Sequence, residues 1–158
     1  MSNVNPIPDG YNSVIPYLYI KGAAKAVEFY KSVFGATQFV RMDGPDGSVM
    51  HAEMRIGDSM IMLSDEHPKM GALSPQSVGG SPITLHLYVE NVDAVIQKAV
   101  DAGAKLDRPV KDQFYGDRTG SLTDPFGHKW YVATHVEDVS PEELKKRAAA
   151  AMSQAAGG

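Results

Sequence analysis

The chain contains no cysteine. That absence removes disulfides, thiolate zinc sites and cysteine nucleophiles together, and it fits a reducing compartment. No apolar run approaches the ~20 residues that a membrane-spanning helix requires. The opening MSNVNPIPDGYNS lacks the basic and apolar regions of a secretory signal. A cytoplasmic location with no membrane partner is therefore expected. Excess positive charge is missing too. The formal net charge is −4 at pH 7, and no basic stripe with interleaved aromatics occurs, which argues against nucleic acid as a partner. The densest cationic spot, Lys145-Lys146-Arg147, lies beside acids in a helical tail and reads as a solvated face. No G-x-S-x-G elbow, phosphate loop or dinucleotide fingerprint is present. What is there is 158 residues, 43% hydrophobic and 22% charged, enough for one domain with a real core.

The strongest positive signal is repetition. VIPYLYI at residues 14–20 is an apolar run followed by the helical pattern GAAKAVEFYKSVFGA, and ITLHLYV at 83–89 is followed by ENVDAVIQKAVDAGA. Each helix ends in Gly-Ala, Gly35-Ala36 and Gly103-Ala104, and each is followed by hairpin material and an apolar strand. A strand-helix-strands unit used twice implies two similar modules. The spacing predicts strand one over residues 14–20, with Pro16 marking an edge or a bulge. It predicts a helix over 22–34 whose buried face is Ala23, Ala26, Val27, Tyr30 and Val33. Strands are expected at 37–42, 48–56 and 59–64, with Asp43-Gly44-Pro45-Asp46-Gly47 and Gly57-Asp58 as turns. In the second module the strand at 83–89 precedes a helix over 91–102, with Asn91 as N-cap and Val92, Val95, Ile96, Ala99 and Val100 on one face. Strands near 105–111, 118–123 and 128–135 follow, the last two joined by the turn Asp124-Pro125-Phe126-Gly127. Ser140-Pro141-Glu142-Glu143 is a capping-box signature opening an alanine-rich helix over 141–155 with a thin apolar stripe. Residues 1–12 read as an extended or mobile lead-in.

The order strand-helix-three strands, twice, with VEFYKSVFGA at 27–36, DAVIQKAVDAGA at 93–104 and SLTDPFGHKWYVATH at 121–135, resembles the vicinal oxygen chelate superfamily of glyoxalase I, extradiol dioxygenases and fosfomycin and bleomycin resistance proteins. The resemblance covers roughly residues 13–136, with module one at 13–66, a linker at 67–82, module two at 83–136 and a helical tail at 137–158. It implies an α+β fold in which two tandem β-α-β-β-β modules form a curved mixed sheet around a central cavity, and it implies a homodimer. Metal-dependent members hold the ion from the first and last strand of each module. Counted onto this chain, those positions are Ile15, Met62, Thr84 and Tyr131. None is a His, Asp, Glu or Gln, so no metal is expected at the usual site. The implied function is then capture of a small organic molecule in the manner of bleomycin resistance proteins. The alternative is a lyase, isomerase or dioxygenase using a divalent metal on displaced ligands.

Several side chains are candidates for that function. His86 stands two residues past Thr84 on the same face of its strand and is either a ligand or base, or a core histidine with a satisfied ring. His51, Glu53 and Arg55 alternate along one strand. They either line a cavity that orients an anionic or polar ligand, or form the wet face of a sheet whose core residues are Ala52, Met54 and Ile56. If His51, Glu53 and His86 converged they would make a two-histidine, one-carboxylate metal set. Phe114 and Tyr115 in a Gly-containing loop suggest a lid, since exposed aromatics mark binding surfaces. Tyr131 and the strand aromatics Tyr17, Tyr19, Tyr88 and Trp130 would wall a site for a planar ligand, or pack the core. Ser64-Asp65-Glu66-His67 either holds an ion or is a polar strand end, the latter being favoured. His128 and His135 read as structural or exposed.

Overall fold

A computed structural model describes residues 3–158. Strand β1 (Tyr17–Ile20) leads into helix α1 (Ala23–Phe34), then β2 (Thr37–Asp43), β3 (Val49–Ile56) and β4 (Ser59–Asp65). After a 3-10 turn (Pro68–Met70) and the short helix α2 (Pro75–Val78), the pattern repeats as β5 (Thr84–Tyr88), α3 (Val92–Asp101), β6 (Lys105–Asp112), β7 (Asp117–Thr123) and β8 (Lys129–His135), followed by α4 (Pro141–Ala156). The strands make two four-stranded mixed sheets, ordered β1-β4-β3-β2 and β5-β8-β7-β6. In each, the first strand runs parallel to the last and the other pairs are antiparallel. The second sheet thus repeats the first strand for strand, and neither is closed.

In the first unit, α1 buries Ala23, Ala26, Val27, Tyr30 and Val33 as its periodicity requires, and Phe29 and Phe34 as well. Gly35 ends the helix in the left-handed conformation, which a residue without Cβ adopts freely. Tyr30 and Phe34 stack, and Phe126 joins this cluster edge-on to Phe29, with ring centroids 6.1 Å apart. Phe126 is therefore part of this unit, which comprises the residues up to Ser81 together with Pro125–Gly127. The stretch read as a linker is structured within it. The Glu66 carboxylate accepts the Ser74 N–H and the Ser77 hydroxyl, which fixes the start of α2.

Strand β1 is an edge strand, as Pro16 suggested, but it starts at Tyr17 rather than Val14. Pro16 lies just outside and contributes its carbonyl to the Met62 N–H, the one ladder bond open to proline. Within the N-terminal segment, residues 10–12 are tied to sheet one. Asn12 accepts the Met60 N–H, the Gly10 carbonyl takes Arg55, and the Tyr11 hydroxyl donates to Glu53. These bonds lay residues 6–13 along the polar side of sheet one.

The second unit comprises Pro82–Asp124 and His128–Gly158. Helix α3 is capped by the Asn91 side chain, which accepts the Ala94 N–H, and it buries Val92, Ile96 and Ala99. Val95 is only half-buried and Val100 is exposed, so the buried stripe is narrower than the sequence pattern implied. Ser140 caps α4 by accepting the Glu143 N–H. No residue of α4 is buried, and Arg147 is not on a purely solvated face. It donates to Glu137, Glu143 and the Phe114 carbonyl. Among the described residues no helix is long and apolar enough to cross a membrane.

Candidate functional site

In β3 the alternation sends Ala52, Met54 and Ile56 into the core and leaves His51, Glu53 and Arg55 half-buried on the other side. The register sets Glu53 opposite Met62, and Met62 opposite Tyr17, so these side chains share one face. Four polar groups form a chain there. Tyr17 Oη lies 2.9 Å from His51 Nδ1, His51 Nε2 lies 3.0 Å from Glu53 Oε1, and the Tyr11 hydroxyl donates to Glu53 Oε2. In one arrangement that satisfies every member, Tyr17 donates to Nδ1, His51 donates from Nε2, and Glu53 is an ionised acceptor of two bonds. The bonds from His51 and Tyr11 hold the Glu53 carboxyl below its usual range, and the bond to Glu53 raises the Tyr11 phenol. Beside this chain is a cleft of about 420 Å³ whose lining includes Ile7, Pro8, Tyr11, Ile15, Glu53 and Met62. Arg55 donates Nη2 to the Gly10 carbonyl and lies 4.8 Å from the Phe39 ring centroid, while its Nε is buried without a hydrogen-bond partner.

Sheet two presents a different surface. His86 is exposed, so it is not a core histidine. It pairs across the parallel ladder with Tyr131 and stacks on that ring at 5.9 Å and 7°. The Tyr88 ring is tilted to that of His86, with centroids 4.9 Å apart. The Tyr131 hydroxyl accepts from Arg108 Nη1 at 3.2 Å. Arg108 and Tyr131 line two clefts of about 300 and 340 Å³, the first also bounded by Lys111 and Gln113, the second by Lys129 and Ser121. Among the described residues Arg108, Lys111 and Lys129 form no ion pair. At the far end of this face the buried Asp117 takes the Tyr88 hydroxyl and His135 Nδ1, both at 2.7 Å, and His135 Nε2 reaches Asp138 at 2.8 Å. Burial pushes the Asp117 carboxyl up, but the bonds from His135 and Tyr88 together bring it below its ordinary value. His135 is raised, chiefly by Asp117 and then by Asp138.

The remaining sequence candidates have structural work. Asp65 accepts the Gly22 and Ala23 N–H groups at 3.0 Å and that of Val49 at 2.7 Å, capping α1 from a distant strand. Phe114 and Tyr115 meet edge to face in a tight turn closed by Gln113 N–H to the Asp117 carbonyl. Arg147 donates to the Phe114 carbonyl in that turn. Asp124 accepts the His128 N–H and the buried Trp130 indole N–H, which explains the Asp-Pro-Phe-Gly-His turn. Reasoning from sequence missed Tyr11 and Arg108 altogether. A tyrosine isolated in a Pro/Gly-rich segment was the available signal for the first, and nothing marked the second.

The positions counted for metal ligands can be tested on their chemistry. Ile15 lies ahead of β1 and Thr84 faces Lys129, while the residues opposite Met62 and Tyr131 are Tyr17 and His86. Module one therefore offers a phenol and a thioether, and module two an imidazole and a phenol already bound to a guanidinium. Neither pair contains the carboxylate that a hard divalent cation takes, and a single imidazole with one phenol is too few donors for a borderline one. His51 and Glu53 are bonded to each other, and His86 belongs to the second unit. Among the described residues no group of three or more histidine and acidic side chains is placed to hold a metal ion.

Comparison with known proteins places these features in a family. An uncharacterised protein of Mycobacterium bovis is 41% identical over 133 residues, spanning 82% of this chain and 88% of its own. A solved structure from Arabidopsis thaliana is 29% identical with a TM-score of 0.62, covering 78% of this chain and 98% of that one. The fosfomycin resistance protein FosX of Listeria monocytogenes, solved with Mn(II) and a dihydroxypropylphosphonic acid, shares the fold at 17% identity and a TM-score of 0.60, covering 86% of this chain and 96% of its own. The family model described as Glyoxalase/Bleomycin resistance protein/Dioxygenase superfamily matches residues 11–132. With the doubled β-α-β-β-β architecture behind it, that match makes this chain a member of the glyoxalase/bleomycin resistance protein/dioxygenase superfamily.

Proposed function

We propose that the protein binds a small, planar organic molecule carrying a negative group on the open face of sheet two, without a metal. The observation that carries this reading is the stacked His86–Tyr131 pair with Arg108 on the Tyr131 hydroxyl, set beside two clefts. The pair offers a flat aromatic platform, which favours a planar ring. Arg108, Lys111 and Lys129 outnumber the one carboxylate that lines these clefts, Asp107, which favours an anion over a neutral body. The donor chemistry on β1, β4, β5 and β8 supports binding without a bridging cation.

Protein-observed NMR with aromatic carboxylic acids and their neutral amides tests the reading. The acids are expected to shift amides of β5, β6 and β8, and Arg108→Gln to weaken them roughly tenfold or more, the worth of a charged hydrogen bond. Zinc, nickel or manganese is expected to leave the melting temperature and the acid affinity unchanged. Shifts that ignore sheet two, amides that bind as well as acids, or acid binding that appears only with metal would each sink the proposal.

A further inference from the structure

Sheet one holds a carboxylate that no lysine or arginine pairs among the described residues. Glu53 is mostly buried, its side chain 12% exposed, and it is bonded to Tyr11 and His51. Neither bond comes from a lysine or arginine. Arg55, two residues along, is committed to the Gly10 carbonyl and the Phe39 ring and forms no ion pair with Glu53 among the described residues. The charged oxygen pair borders the cleft of about 420 Å³, a volume that suits a small ligand. The rest of that wall is mainly apolar: Ile7, Pro8, Ile15 and Met62, with the Tyr11 ring. No Lys or Arg lines it. A carboxylate at the edge of an apolar, aromatic pocket selects against anions by repulsion. It favours a ligand that carries positive charge on an apolar body.

We propose that the cleft between residues 6–15 and sheet one is a binding site for a small organic cation, a protonated amine. Its ammonium group meets Glu53 and the face of Tyr11, and its apolar body packs on Ile7, Pro8, Ile15 and Met62. The residues of this site are distinct from those proposed to bind the anion on sheet two. It is built from the N-terminal segment and strands β3 and β4, all within the first unit.

The experiment compares three probes of one shape on the full chain: benzylamine, benzyl alcohol and benzoate, followed by calorimetry and by amide NMR. Benzylamine is expected to bind at least tenfold more tightly than benzyl alcohol, with shifts on β3, β4 and residues 6–15, and benzoate to leave those amides unmoved. Glu53→Gln is expected to remove the preference for the amine. Because Glu53 ties down Tyr11, that variant is checked for an unchanged melting temperature. Met62→Lys provides an independent arm. Residue 62 faces Glu53 across the ladder, so a lysine there supplies its own ammonium and is expected to exclude benzylamine. Equal binding of the alcohol, no saturable amine binding at millimolar concentration, or an amine affinity that survives either substitution overturns the proposal.

Discussion

At the scale of single residues, the charges that matter are those whose partners come from elsewhere in the chain. Asp65 looked like a polar strand end with metal-binding company. It caps α1 instead, because Gly22 has no side chain to do so. His135 is the residue whose titration the protein should feel most directly. Both ring nitrogens face carboxylates, Asp117 and Asp138, and Tyr88 holds the other Asp117 oxygen. Its value is raised above the ordinary 6.5. The folded protein therefore binds the proton more tightly than the unfolded chain, and this stabilisation is complete below about pH 6.5 and fades as pH rises through the raised value. Asp117 is lowered, so it stays ionised throughout that window, and the Tyr88 phenol is raised, so it stays protonated. Thermal unfolding between pH 6 and 9 should show a decline in the wild-type protein that His135→Gln flattens. An identical slope in the variant would mean that the two carboxylates do not govern this histidine.

At the scale of elements, periodicity and caps carried most of the information. The α1 stripe, the Asn91 cap, the Ser140 cap and the alternation of β3 all follow from local spacing, and all are present. What local spacing could not carry is partnership at long range. Residues 6–13 have no apolar period, and their order comes from Tyr11, Gly10 and Asn12 meeting strands some 42 to 48 positions away. The same holds for His86. Its face was legible, but its partner was uncertain by two residues until the ladder set it against Tyr131. The β6–β7 turn shows how tightly such joints are built. Gly116 has φ +99°, and a Cβ there would lie 2.1 Å from the Glu137 carbonyl oxygen. That carbonyl belongs to backbone and cannot rotate away. Gly116→Ala is expected to destabilise the protein by at least about 2 kcal/mol, combining left-handed strain with the clash. Urea unfolding measures this directly, and a change under a few tenths of that value would show that the turn yields easily.

At the scale of the whole molecule, the sequence repeat is real but the units do not partition at the repeat boundary. Sheet two copies sheet one in strand order, which was legible from two strand-helix patterns and their Gly-Ala stops. The turn Asp124-Pro125-Phe126-Gly127 was legible as a turn, yet its tip belongs to the first unit, where Phe126 meets Phe29 and Tyr30. Nothing in a turn signal says which core its apolar residue will enter. The consequence is that module one, cut out along the sequence, is missing part of its own core. Phe126 is buried, and deleting such a ring leaves a cavity as well as losing its transfer energy, so Phe126→Ala in the full chain is expected to cost about 3–4 kcal/mol. A chain ending at residue 82 lacks Phe126, Pro125 and Gly127 together, and should unfold at a markedly lower urea concentration than the first unit does in the intact protein. If the fragment matches the intact chain, the hairpin tip is only an ornament on a self-sufficient module. If the fragment and Phe126→Ala are weakened alike, the first unit depends on core residues from a later hairpin that the repeat itself does not encode.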